Sequence, residues 1–329
     1  MEKLKETMAK ESWVSVAIAT VLLAVVLSFM SPAFLQISNF KNIIVQSSIT
    51  GIMAVGMSFI IMTAGIDISV GAILFFTGSL FAQMLQAGIG AVPAMLLTLL
   101  AATALGALNG ILIVKMKMTP FITTLATYNV YRGAALHITK AGNIPVAKEV
   151  RFLGTGEIAG IPVPILLFIV IVLIGAYLLK YTKFGTYAKA LGNSEKSATE
   201  TGLPVGKVTI AVYMLGGLTA GLSGLILISR IGGLQSGMGI GMEFSVIAAV
   251  VLGGTKLSGG EGSMLGSVLG AIFLVLIENG LNLIQASSFI YDVVKGVVLL
   301  IAVFVDRVSL ERQVKSLQEQ KRKRIRGNA

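Results

Sequence analysis

Six ionisable side chains fall inside long apolar runs of this sequence: Asp67, Arg132, Glu243, Glu278, Asp292 and Lys295. A charge at membrane depth is costly, so each is a candidate for a solute or ion path by default. Asp292 and Lys295 stand three residues apart on one helix and are expected to pair with each other. Glu278 and Asn282, four apart, share a helix face directed at an interface or a watery path. Arg132 sits near Tyr128, Asn129 and Tyr131. Aromatic, amide and guanidinium groups suit a hydroxyl-rich ligand, and they suit anchoring at a membrane interface equally. Asp67 and Ser69 lie between Gly65 and Gly71, where the carboxylate either lines a path or caps a helix.

Catalytic chemistry is poorly supplied. The single histidine, His137, stands at the end of an apolar run and reads as an interfacial helix-end residue. With no cysteine in the chain, a His/Cys metal cluster cannot be built. No nucleophile elbow accompanies His137. The nearest approach to a phosphate-binding loop, Gly202-Leu203-Pro204-Val205-Gly206-Lys207-Val208, is one residue short between its glycines. It also puts Val where the magnesium-binding hydroxyl belongs. Any ATP must therefore be handled by another chain. Leu257-Ser258-Gly259-Gly260-Glu261 looks like an ATPase signature, but it lies between apolar runs and reads as a loop of the membrane protein.

The elements that position these groups are membrane helices. Of 329 residues, 55% are hydrophobic and 12% charged, against about 25% charged in soluble domains. A spanning helix needs roughly 20 apolar residues. Spans are predicted near 13–30, 43–64, 70–87, 91–113, 120–138, 162–180, 208–229, 243–254, 263–284 and 290–305, the eighth being short. The fold class is therefore all-α, a polytopic membrane protein of about ten helices. The charged start (Glu2, Lys3, Lys5) has no small-residue cleavage site after the first apolar run, which predicts a retained span rather than a cleaved signal.

Charge placement orients the chain. With both ends inside, segments 1–12, 114–119, 180–207, 253–262 and 306–329 are cytoplasmic and hold 19 of the 26 Lys and Arg residues. The net charge of +11 follows from this rule without any nucleic-acid partner. The basic cluster Lys321-Arg322-Lys323-Arg324 suits anionic membrane lipid. The organisation read from this is a cytoplasmic segment 1–12, a membrane domain 13–305 and a basic cytoplasmic tail 306–329.

Within the membrane domain, the internal loop 181–207 contains a capped segment. Asn193 and Ser194 are N-cap types, Glu195–Thr201 fits about two helical turns, and Gly202 with Pro204 ends it. Such a segment suits docking to a soluble partner or a plain surface helix. Small residues recur four apart at Gly106/Gly110, Gly217/Gly221 and Gly266/Gly270, a spacing for close helix packing, chiefly within one subunit. Residues 64–71 are similar to 253–260, as in a repeat or by chance.

Several long motifs in order carry a resemblance. Gly56-Met57-Ser58-Phe59-Ile60-Ile61-Met62-Thr63-Ala64-Gly65-Ile66-Asp67-Ile68-Ser69-Val70-Gly71 comes first, then Thr119-Pro120-Phe121-Ile122-Thr123-Thr124-Leu125. Next come Lys183-Phe184-Gly185 with Gly192-Asn193, Ala198 and Gly202. Last are Ala248-Ala249-Val250-Val251-Leu252-Gly253-Gly254, Leu257-Ser258-Gly259-Gly260 and Gly280-Leu281-Asn282-Leu283. From about residue 38 to 306 the chain resembles the sugar-type permeases of bacterial ABC importers, the group of the ribose, galactose and xylose permeases. The resemblance implies a subunit of the bacterial inner membrane that pairs with a second copy of itself around a translocation path. It implies an ABC ATPase subunit inside, which binds the ATP and Mg, and an extracytoplasmic sugar-binding protein outside. It implies no cofactor in this chain, and makes Phe184, Gly185, Gly192, Asn193, Ala198 and Gly202 the ATPase-coupling residues. Candidate path residues are Asp67, Ser69, Asn129, Arg132, Glu243, Glu278 and Asn282. The rival reading is an ion-coupled transporter using Asp67 or Glu278.

Overall fold

A computed structural model describes residues 13–327. The predicted segment 1–12 lies outside them, as do the side chains of the Lys321–Arg324 cluster. Helices are α1 (Trp13–Met30), α2 (Ile37–Met62), α3 (Val70–Gln86), α4 (Ala91–Met116), α5 (Pro120–Thr139), the one-turn α6 (Phe152–Thr155) and α7 (Val163–Tyr181). They continue with α8 (Lys183–Asn193), α9 (Glu195–Glu200), α10 (Val205–Ile231), α11 (Met242–Leu252), α12 (Met264–Leu283) and α13 (Ser288–Gly327). A helix thus stands at each of the ten predicted segments. Among the described residues, six of them (α1, α2, α4, α7, α10 and α12) are long and apolar enough to cross a membrane, while α3 and α11 are shorter apolar helices.

Proline and glycine punctuate the chain where the backbone requires it. Pro120 opens α5 in the first turn, where no amide donor is needed, and Gly232 (φ +85°) closes α10 in the left-handed region. α13 runs on without a break at 305, where a separate tail was expected. At 1.5 Å per residue its 40 residues extend about 60 Å, twice a hydrocarbon layer.

α2 and α10 form the centre and α1 the rim. In its most apolar stretch 83% of the residues of α2 are buried but only 11% of those of α1, which packs one side on α12. α10 packs on α4, α2 and α3, and α12 on α2, α11 and α1. The four-spaced glycines make these contacts within the chain. A side chain at Gly106 would strike the Tyr213 carbonyl, one at Gly217 the Ala102 carbonyl, and one at Gly270 the Ala249 carbonyl. Without a hydrophobic drive between helices in lipid, such close backbone approach supplies the packing energy.

Connections gather at two ends. At one, β1 (Ile144–Pro145) pairs antiparallel with β4 (Gly233–Leu234), and a small hairpin is formed by β2 (Glu157–Ile158) and β3 (Ile161–Pro162). Lys41 and Glu157 form an ion pair there at 3.2 Å. At the other end meet the close of α2, the α4–α5 connection, α8 and α9, and the loop after α11.

Candidate functional site

Two stretches break the helical pattern inside the protein. Residues 63–69 join α2 to α3 through irregular backbone at which Ile68 and Asp67 are buried. α11 has 11 residues, about 16 Å of helix, with eight of them buried. Irregular backbone at such depth persists only where protein partners satisfy its polar groups. Here Thr124 Oγ1 accepts from Ile68 N–H at 3.1 Å and lies 3.2 Å from the Ile66 carbonyl, which the Tyr213 hydroxyl also approaches at 3.4 Å.

The two stretches touch at both ends. At one, Gly71 and Gly239 meet backbone to backbone, so a side chain on either would overlap the other's carbonyl. At the other, Gly260 N–H donates to the Met62 carbonyl at 2.9 Å, and Gly259 (φ +84°) faces Ala64 and Gly192. The helix ends match as well. After α2, Ala64 N–H and Gly65 N–H bond back to Ile61 and Ile60; after α11, Gly254 N–H and Thr255 N–H bond back to Val251 and Val250. Both turns hold a left-handed residue, Ala64 at φ 58° and Gly254 at φ 89°. The structural match therefore pairs Ala64 with Gly254, one residue off the sequence similarity of 64–71 with 253–260. Beyond the turn the stretches diverge, since 256–261 closes on itself through a Lys256–Glu261 ion pair at 2.6 Å.

Asp67 heads a buried relay. Its Oδ1 accepts from Ser69 N–H at 2.7 Å and from Ser69 Oγ–H at 2.6 Å. Asn109 Nδ2 donates to Ser69 Oγ at 2.7 Å, and the Tyr131 hydroxyl lies 3.0 Å from Asn109 Oδ1. Asp67, Ser69 and Asn109 are wholly buried, and Asp67 Oδ2 has no partner among the described residues. The carboxylate turns the chain into α3 and ties it to α4 and α5.

The second group surrounds the start of α11. Arg132 donates to the Ser236 carbonyl at 2.8 Å and the Met238 carbonyl at 3.1 Å, and its guanidinium lies 4.9 Å from the Phe75 ring centroid. It thereby clamps the glycine-rich loop 232–241. Glu243 is buried, accepts from Gly241 N–H at 3.3 Å, and its Oε2, beside Gly71, has no partner among the described residues. Asn129 is exposed and donates to the carbonyl one helical turn back.

Glu278 and Asn282 do not join either group. Glu278 pairs with Lys295 at 3.1 Å, which corrects the expected Asp292–Lys295 pair. α12 and α13 bring the carboxylate to the ammonium between helices, whereas Asp292 is exposed. Asn282 is exposed. Its neighbour Asn279 instead exchanges two hydrogen bonds with Asn39 (2.7 and 3.1 Å), which joins α12 to α2. Asn109, Tyr213 and the Asn39–Asn279 pair were missed in the sequence. A lone amide in the apolar run around Asn109 was the available signal.

The capped segment forms as expected. Ser194 caps α9 by accepting from Ser197 N–H at 3.2 Å, and Gly202 (φ +78°) follows its end. Phe184 packs on Phe59 with ring centroids 5.2 Å apart. Gly185 and Gly192 leave no room for a side chain against the Leu179 and Met62 carbonyls, respectively. Asn193 abuts Gly260, and Ala198 is buried. Gly192 and Asn193, at the end of α8, thus hold both turns, while in α9 Glu195, Lys196, Ser197, Thr199 and Glu200 are exposed.

A helical bundle with six helices long and apolar enough to cross a membrane among the described residues fits an all-α membrane protein. The chain belongs to the family described as branched-chain amino acid transport system / permease component, which it matches over residues 39–303. It is similar to the ribose import permease protein RbsC of Bacillus subtilis, 43% identical over 289 residues, 87% of this chain and 90% of that protein. It is 38% identical over 294 residues to RbsC of Escherichia coli K12, covering 88% of this chain and 92% of that protein. The D-allose transport system permease protein AlsC of Escherichia coli K12 is 34% identical, over 88% of this chain and 90% of that protein. No solved structure matches the chain significantly. Its helices and its family together make it a multi-pass inner-membrane permease.

Proposed function

We propose that this chain is the membrane-spanning subunit of a binding-protein-dependent ABC importer that carries a sugar (a pentose, a hexose or a related solute) inward. The observation that carries the reading is the similarity to ribose and allose permeases over nearly nine-tenths of the chain. The family description names branched-chain amino acids, but the near relatives carry sugar names, and the sugar is preferred on that ground. A separate ATPase subunit binds the ATP and Mg and docks on α9 from the cytoplasm. An extracytoplasmic sugar-binding protein meets the opposite end, where β1 and β4 lie. Two copies of the chain enclose the path, each with ten spans and both termini inside.

Geometry supports the coupling role through α8 and α9, since Gly192 and Asn193 at the end of α8 hold the Met62–Ala64 turn and the Gly259–Gly260 turn. Of the path candidates, Arg132 and Glu243 border the loop before α11 and are the ones to pursue. Asp67 and Ser69 serve the chain turn, and Glu278 is neutralised by Lys295. The Lys295 partner of Glu278 counts against that residue as the titrating site an ion-coupled rival needs.

The test is co-purification with ATPases from the same cell. Ala198 faces inward, so the outward residues are changed: Lys196→Glu with Glu200→Lys, and Gly202→Trp. An ATPase that co-elutes with the native chain and is released by the changes supports the reading. If no ATPase binds and the chain alone accumulates solute down a proton gradient, the importer reading is wrong.

A further inference from the structure

A cavity of about 620 Å³ opens among α2, α4, α5, α8, α9 and α10 at the end that carries the capped segment. It is separate from every candidate path residue: Asp67, Arg132, Glu243 and Glu278 do not line it. Its volume falls in the range of small-molecule sites, roughly 300–1,000 Å³. The floor is apolar, from Ile113, Leu191 and Val205. Its polar lining has Thr63, Lys117, Thr119, Glu195 and Thr209, with the buried Tyr213 at its inner end.

The polar lining defines a ligand class. Thr63 Oγ1 donates to the Ile60 carbonyl at 2.7 Å and Thr209 Oγ1 to the Val205 carbonyl at 3.0 Å. Their donors are committed, so their free lone pairs accept from a ligand hydroxyl. Lys117 adds donors and Glu195 adds acceptors. Neither side chain has a hydrogen-bonded or ionic partner among the described residues, and both are exposed at the cavity mouth. One cation and one anion leave the site without net charge, which disfavours a phosphate or a polycation. Several acceptors, several donors and an apolar floor suit a neutral solute with many hydroxyl groups.

We propose that this cavity is a low-affinity binding site for a neutral polyhydroxylated solute of pentose or hexose size, within one subunit and apart from the path between subunits. The choice of ribose as first probe rests on the importer reading; the cavity's chemistry stands without it. Because Gly192 and Glu195 form one wall and Thr63–Gly65 another, an occupant touches the capped segment and the turn it rests on.

The chain has no cysteine, so a single introduced thiol reports the cavity. Thr209→Cys in the full chain is labelled with a bulky maleimide at rising D-ribose, with ribose 5-phosphate as the charged comparison and exposed Ser197→Cys as the external reference. Val205→Cys reports the same cavity should the first change disturb the helix. At about 10 mM ribose and a Kd of about 1 mM, labelling in the cavity slows about tenfold. Ribose 5-phosphate protects less, Ser197→Cys is unaffected, and Lys117→Ala or Glu195→Ala weakens the protection. Unchanged labelling of both cavity thiols, or equal slowing at Ser197→Cys, overturns the site. Sugar uptake by vesicles holding the assembled complex is read separately. Uptake without protection sinks the site alone, and protection without uptake sinks the importer reading alone.

Discussion

Replacing Thr124 by Val isolates what the broken stretch 63–69 needs from its neighbours. The side chains are nearly isosteric, so no cavity forms and the change is confined to one hydroxyl. That hydroxyl is the partner of Ile68 N–H at 3.1 Å, and Ile68 is 5% exposed. A buried donor left unmade costs about 1–3 kcal/mol, and interhelical hydrogen bonds in membrane proteins reach about 1.7 kcal/mol by double-mutant cycles. The expected loss is therefore about 1.5 kcal/mol, a fall in Tm of about 3 °C for a chain of this size. Adjacent Thr123 supplies the control. It is equally buried, but its hydroxyl donates at 2.9 Å to Thr119 O, a carbonyl that keeps its backbone bond from Thr123 N–H. Thr123→Val should cost less than about 0.5 kcal/mol, and Thr124→Ser should restore most of the loss. Thermal unfolding in detergent is the assay. Equal falls in Tm for Thr123→Val and Thr124→Val would refute the claim that Thr124 holds the broken backbone.

Three further outcomes follow from the same geometry. Asp67→Asn keeps an acceptor for Ser69 and should unfold within a few degrees of the native chain, whereas Asp67→Leu strands two buried donors at a cost of about 2–4 kcal/mol; if Asn and Leu behave alike in thermal melts, the carboxylate's charge is what matters. Glu278→Gln and Lys295→Met should each destabilise by about 1–2 kcal/mol, discounted because both side chains are about a quarter exposed, and the double change should recover most of it. A strictly additive double-mutant cycle rules out that pairing. Gly192→Val must displace the Met62 carbonyl, while Gly202→Val meets nothing within 4 Å and bears only its positive φ, about 1–2 kcal/mol; yields and melting points should fall at least twice as far for the first.

Much of the architecture was legible because membrane helices are written in composition. Ten apolar runs located helices, often to within two residues of the observed ends. Local capping was legible too: Ser194 and Gly202 have chemistries that act within four residues of themselves. What depended on crossing between helices was not. Lys295 was assigned to Asp292 by sequence proximity, yet Glu278, seventeen residues upstream, reaches it from the neighbouring helix. The relay from Asp67 to Tyr131 uses Asn109, forty residues on from Ser69, and no local spacing announces that meeting. The similarity of 64–71 to 253–260 is visible in the sequence, and the structure sets Ala64 opposite Gly254 because the shared element is the left-handed turn that ends each helix.

The joint beneath the capped segment has a consequence for how such subunits diversify. Gly192, Gly259 and Gly260 meet Met62 and Ala64 through main chain, and a main-chain contact has no side-chain alphabet in which to be rewritten. Retuning it in small steps is closed, since any added atom displaces a carbonyl or an amide. On the outward face of α9, Lys196, Thr199 and Glu200 are exposed, line no part of the cavity and can be exchanged. A lineage can therefore change the company this surface keeps while its inner hinge stays the same, and a chimera that swaps those outward residues alone should fold as the parent does.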